Sequence, residues 1–312
     1  MDMLRAAPAL LALLVALAGC SDDPPATAAP SPTTEPTTSM TADPVPEEPA
    51  GRLDATVLGE SRTNFDLTDC LNPRILFVLE PADAQALLPP GFTAADVTAL
   101  TQFTGAPFGS PVPAGRAVGG YDFLSCTGNT LDNGSVAFSQ VGILVQPPDL
   151  GDRTPLEPAT YDLYLLALHS NKPAWHALAL SMGFSPEEAP LAEIASAATD
   201  HGGGNVLGSG SVSVGTPLGA ADYVLPAAGR QLDLQARYWH VSAAGTSYLD
   251  FHLDETVQAG AIPTCTHAAG SAFEKVSGVQ TCGAESRFAA VGIGTQVAGT
   301  AYWLPGVFPV DA

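Results

Sequence analysis

The chain has 312 residues, 46% hydrophobic and 14% charged, with 32 acidic against 11 basic side chains and a formal net charge of -21. A chain this acidic, without a cluster of Lys or Arg to neutralise phosphates, is excluded from the nucleic-acid binders, and its apolar share suits a substantial core. No D-x-D-x-D-G loop is present, so the acidity reads as a soluble, self-repelling surface and not as a calcium site.

Residues 1–19 start with Arg5 as the one positive side chain, run through apolar Leu10 to Leu17 and end on small residues. That is a secretory signal peptide, too short and too weakly flanked to span a bilayer. The ending Leu17-Ala18-Gly19-Cys20 resembles the lipobox of bacterial lipoproteins. The resemblance implies a diacylglycerol on the Cys20 thiol, cleavage before Cys20 and further acylation of the new amino terminus. Each buried methylene contributes about 0.8 kcal/mol, so two or more acyl chains make a stable anchor. The expected partner is therefore a lipid bilayer, and the expected address is the cell envelope, facing periplasm or exterior. Ser21 stands where an aspartate commonly marks inner-membrane retention in that family, so outer-membrane sorting is permitted.

From Cys20 to residue 50 the chain is rich in Pro, Thr, Ala and acids, with no apolar periodicity. Such a segment buries too little to offset its ordering entropy and is expected to be a disordered tether. At about 3 Å per residue it reaches roughly 90 Å from the lipid.

Residues 51–312 read as a single β-rich domain. Strands are predicted at 74–79, 118–126, 135–146, 160–170 and 205–215, with a tight positive-φ turn at Asn133-Gly134. Short helices are predicted at 81–88 and 173–183, each with proline in its first turn. A hairpin is predicted in the alternating runs flanking Ala243 to Thr246. A symmetric register about that turn sets Tyr238 opposite Phe251, Ala236 opposite Leu253, Arg237 opposite His252 and Trp239 opposite Asp250. No repeat of 20 to 50 residues is visible, which disfavours a solenoid or propeller.

Beyond Cys20 the chain has Cys70, Cys126, Cys265 and Cys282. An even number in an exported chain predicts two disulfides. Three pairings satisfy that count; closeness along the chain favours Cys70 with Cys126 and Cys265 with Cys282, the others remaining open. No C-x-x-C occurs, so neither a zinc knuckle nor a thioredoxin-type site is supported.

A strand followed by a short helix ending in Leu87-Leu88-Pro89-Pro90-Gly91-Phe92, and later a strand opening Gly119-Gly120-Tyr121, resembles the acetoacetate decarboxylase-like superfamily. So does the strand, loop and helix of LALHSNKPAWHALALSMGF. The resemblance implies a mainly β (α+β) fold, an antiparallel barrel-like domain with an apolar cavity and a few peripheral helices. In the decarboxylase a buried lysine with a second lysine beside it forms a Schiff base with a β-keto acid. This chain has only Lys172 and Lys275, no adjacent pair, and Asp122, Phe123 and Leu124 after Tyr121. Lys172 is thus the one candidate catalytic lysine.

A candidate ligand-binding face combines Arg237, Trp239, Asp250 and His252. Lining a cavity, Arg237 pairs with a carboxylate while Trp239 packs on the ligand's apolar part; facing solvent, the same residues form an ordinary salt-bridge surface. His169, His176, His201, His240 and His252 show no metal-ligand spacing, so no metal or cofactor is expected. The functional expectation is a membrane-anchored binding module for a small apolar or amphipathic, even acidic, molecule. The alternatives are a diverged decarboxylase-like lyase using Lys172 and an envelope protein-interaction domain.

Overall fold

A computed structural model describes residues 62–96, 114–151, 158–199, 210–225, 229–259, 262–278 and 287–310. The signal peptide, Cys20, the tether, His201 and Cys282 lie outside the described residues.

Seven strands close into a barrel in the order β1 (Arg62–Leu79), β11 (Arg287–Pro305), β9 (Gly245–Ala259), β8 (Arg230–Ser242), β4 (Tyr161–Ser170), β3 (Val136–Val145) and β2 (Ala117–Asn129). A second sheet has the order β10 (Ile262–His267), β7 (Gly219–Leu225), β6 (Gly210–Thr216) and β5 (Ala195–Thr199). Helices α1 (Pro81–Gln85), α2 (Pro173–Ser181) and α3 (Ala272–Ser277) are short. The molecule is therefore mainly β with peripheral helices, as expected. Every barrel pairing is antiparallel except β4 with β8, which is parallel. After β4 the chain leaves to build α2 and β5 to β7, and a crossover of that length returns a strand in the same direction.

Alternation along each strand sorts side chains to two faces. Leu76 and Val78 of β1 join Val118, Leu124, Phe138, Leu144 and Leu163 in one core, while Ile75, Phe77, Tyr121 and Phe123 join Tyr223 and Phe273 in another. The first core fills the barrel. Trp175 of α2 belongs to it, edge-on to Phe65 at 4.7 Å and stacked on Phe138 at 4.9 Å, so this helix plugs one end. The second core packs outside the barrel, where β7 and α3 cover β1 and β2.

The β8–β9 hairpin differs from the predicted register by two residues. Ser242 pairs with Gly245 around a two-residue turn, so Arg237 faces Asp250, Tyr238 faces Leu249 and Trp239 faces Tyr248. Two-residue connections match strand twist better than the longer loop expected. Gly245, at φ 145°, allows it: a Cβ there would lie 2.3 Å from the Leu304 carbonyl oxygen. A two-residue shift keeps every side chain on its face, but it exchanges a histidine for an aspartate opposite Arg237. The Asn133-Gly134 turn is as predicted, with φ of 57° and 92°.

Cys70 and Cys126 form a disulfide between paired positions of β1 and β2. Cys265 is also disulfide-bonded; Cys282, its expected partner, lies outside the described residues.

Candidate functional site

Inside the barrel, apolar strands carry a belt of polar side chains. Arg74 sits in the apolar run RILFVL and Glu255 closes the alternation of β9, so both point inward by parity. Arg74 Nη2 donates to both oxygens of Glu255, at 2.5 and 2.7 Å, with neither side chain more than 4% exposed. Glu255 Oε2 also accepts from Asn72 Nδ2 at 3.2 Å and Thr295 Oγ1 at 3.1 Å. Gly292 makes room for this carboxylate, because a Cβ there would lie 2.1 Å from Oε2. Burial works against the Arg74 charge, but Glu255, with Tyr161, Asp122 and Tyr238, outweighs it and raises the guanidinium pKa. Nε and Nη1 of Arg74, both buried, have no hydrogen-bond partner among the described residues.

Beside Arg74 is a cavity of about 20 Å³ lined by Arg74, Leu76, Gly120, Asp122, Leu144, Tyr161 and Leu163, room for about one water. Asp122 is 6% exposed. Its Oδ2 accepts long bonds from Gln140 Nε2 and the Tyr238 hydroxyl, each 3.5 Å, and Tyr238 meets the Tyr161 hydroxyl at 3.2 Å. Burial pushes the Asp122 carboxyl above its ordinary pKa, with Arg74 and the Gln140 bond opposing. The site thus holds a neutralised ion pair, a carboxyl driven toward its protonated form, and unused guanidinium donors, against leucine walls.

No family model matches the chain, and no curated protein matches it. Among solved structures it is similar to acetoacetate decarboxylase-like proteins. An acetoacetate decarboxylase-like enzyme from Sphingomonas wittichii RW1 shares 12% identity at a TM-score of 0.45, covering 78% of this chain and 92% of that one. Acetoacetate decarboxylase from Legionella pneumophila shares 13% at 0.47, covering 83% and 92%. The enduracididine biosynthesis enzyme MppR, complexed with the condensation product of pyruvate and imidazole 4-carboxaldehyde, shares 8% at 0.43, covering 80% and 90%. Likeness at this level says nothing about the chemistry of this chain, which is read from its own residues.

Lys172 is not among the cavity's lining residues; it is the half-buried N-cap residue of α2. Its backbone is committed to that helix start, the carbonyl accepting from His176 N–H and the Ser170 hydroxyl. The wall of this cavity contains no lysine, so the cavity and the expected catalytic residue Lys172 do not coincide.

Three of the four residues of the predicted ligand face lie together, and the fourth does not. Arg237, Trp239 and Asp250 do come together, and they are largely buried. Arg237, 2% exposed, lies 3.8 Å from Asp162 and 3.6 Å from Asp250, one on each neighbouring strand. Its guanidinium is also 5.8 Å from the centre of the Trp239 ring and 5.5 Å from that of Tyr248. Trp239 Nε1 donates to Asp162 at 2.7 Å, and its ring packs with Phe92 and Tyr248 in a core cluster that also contains Tyr164, Leu150 and Leu304. His252 stands apart, exposed and paired with Asp233 at 2.6 Å.

Among the histidines, His169 is buried opposite Ser139, with Nδ1 unpartnered among the described residues. Burial lowers its pKa from 6.5 to about 4. A group whose folded pKa is depressed stabilises the fold above its unfolded value and loses that contribution as pH falls through the folded one. Stability is therefore expected to drop between pH 6.5 and about 4, by roughly 3 kcal/mol from this group. Urea unfolding across that range in the native protein and in His169→Phe checks it: a variant with the same acid-side slope assigns the loss elsewhere.

The residues missed in the sequence are Arg74, Asp122, Gln140 and Glu255. The available signal was a polar or charged side chain at an inward-facing strand position.

Proposed function

We propose that the domain is a non-catalytic receptor that holds a small, mainly apolar molecule by an oxygen-bearing head inside the barrel. The observation that carries this reading is Arg74: a fully buried guanidinium that lines a leucine-walled cavity with two nitrogens lacking acceptors. Leaving buried donors unsatisfied is costly, and a ligand oxygen relieves that cost. A molecule larger than water enters as Leu76, Leu144 and Leu163 move between staggered rotamers. Acylated Cys20 would hold this receptor at a membrane of the cell envelope, with residues 20–50 as its tether.

Gly120 supplies the test. A Cβ at this position would lie 3.6 Å from Leu76 and 3.9 Å from Leu163, ordinary contacts, so Gly120→Ala narrows the cavity without straining the fold. Organic extracts of the native protein and of Gly120→Ala, purified identically from one host, are compared by mass spectrometry. The expected result is a small amphiphile that is enriched in the first and depleted in the second. Identical extracts, free of any enriched compound, would count against the receptor reading.

A further inference from the structure

We infer that the cavity selects an uncharged hydrogen-bond acceptor, a ketone, aldehyde or ester carbonyl, over a carboxylate, and that Glu255 sets this preference by neutralising Arg74. The inference rests on the receptor reading and specifies which head group the receptor takes.

The argument is a charge inventory of the barrel interior around the cavity. β1 contributes Arg74, β9 Glu255, β2 Asp122, β4 Tyr161 and β8 Tyr238; β3 and β11 contribute the uncharged Gln140 and Thr295. The single cation is already matched by a carboxylate that receives both Arg74 contacts and two further donors. The oxygens of Glu255 are thereby already engaged and have no need of a ligand. A carboxylate ligand would bring a second negative charge, and a third whenever Asp122 ionises, into a buried site with one positive charge among the described residues. Desolvating that ligand would not be offset by an available counter-ion.

A carbonyl oxygen meets the site differently. Arg74 offers N–H groups at Nε and Nη1 without acceptors, and Asp122, favoured by burial in its protonated form, offers an O–H. These are donors in search of an acceptor, not a positive charge in search of an anion. A carbonyl oxygen accepts two hydrogen bonds and costs far less to desolvate than an ion. The alkyl part of such a molecule lies against Leu76, Leu144 and Leu163.

The test uses two probes of nearly equal size, butanone and propanoate, titrated into the native protein and followed by NMR chemical shifts of the Leu76, Leu144 and Leu163 methyl groups. At pH 7 butanone is expected to bind at least about tenfold more tightly than propanoate. Its affinity is expected to stay level between pH 5 and 7, while that of propanoate rises as pH falls toward its own pKa. In Glu255→Gln the Arg74 charge is no longer cancelled, and the preference is expected to invert. Asp122→Asn, which keeps a donor and removes the other acid, is expected to keep the native preference and covers the case in which Glu255→Gln does not fold. Propanoate binding as tightly as butanone to the native protein would overturn this inference while leaving the receptor reading intact. If neither probe shifts the cavity methyls, the receptor reading falls, and this inference with it.

Discussion

Replacing Glu255 by alanine is expected to destabilise the fold by about 3–5 kcal/mol, because a buried guanidinium is left without its counter-charge. The loss is not the worth of the ion pair. Arg74 would keep its charge at any accessible pH, and its surroundings offer only Asp122, whose ionisation burial opposes. The companion experiment separates the two quantities. Arg74→Met with Glu255→Leu removes both charges at similar volume, and exchanges of this kind are often neutral or stabilising. The double variant is thus expected to recover most of the stability lost in Glu255→Ala. Urea unfolding of both reports the difference directly; a Glu255→Ala variant within about 1 kcal/mol of the native protein would show that water reaches the pair.

The second large effect is expected at Arg237, on the outer face of the same barrel. Truncation to alanine leaves Asp162 and Asp250 as neighbouring carboxylates beneath an aromatic cover, at a cost of about 3–5 kcal/mol near neutral pH. Here the pH dependence identifies the cause. Burial already raises the Asp162 carboxyl, against the Trp239 bond and Arg237, and Asp250 raises it further. Without Arg237 that rise grows, and an acid with a raised folded pKa costs stability increasingly as pH climbs from its unfolded value through its folded one. The Arg237→Ala deficit should accordingly be larger at pH 8 than at pH 5. A deficit equal at both would point to lost packing on Trp239 and Tyr248 instead.

How much of this was legible in the sequence depended on whether local pattern or tertiary contact decides. The apolar runs at 118–126, 135–146 and 160–170 are strands, and Pro173 starts a helix, because propensity and patterning agree there. The Cys70–Cys126 pairing followed from chain proximity. β1, however, extends back to Arg62 and β11 runs from Arg287, through residues whose local signals are weak. Those strands are defined by pairing with each other from opposite ends of the chain, which no window of sequence contains. The site was hidden in the same way. Arg237 drew notice in a visibly polar stripe, whereas Arg74 and Glu255 are about 180 residues apart and become partners only when the barrel closes. The hairpin error was local: one tight turn, misjudged by two residues, changed the partner of Arg237.

The parallel seam has a consequence for how the chain folds. Along the sequence the barrel is two arcs, β1 to β4 and β8, β9 and β11, and each assembles largely from near neighbours. The arcs meet along the long β1–β11 ladder and again at β4–β8, where the pairing covers only Tyr161 to Tyr164 against Ala236 to Trp239. Both junctions join distant parts of the chain, so loop-closure entropy is lost before their contacts can repay it, placing folding in the slow, high-contact-order regime. Side chains compensate at the shorter junction. Asp162 reaches Arg237 and Trp239, and Tyr161 reaches Tyr238, all across that four-residue ladder. Substitutions there act on the rate of unfolding if the clasp forms after the transition state, and on the rate of folding if closing it is the slow step itself.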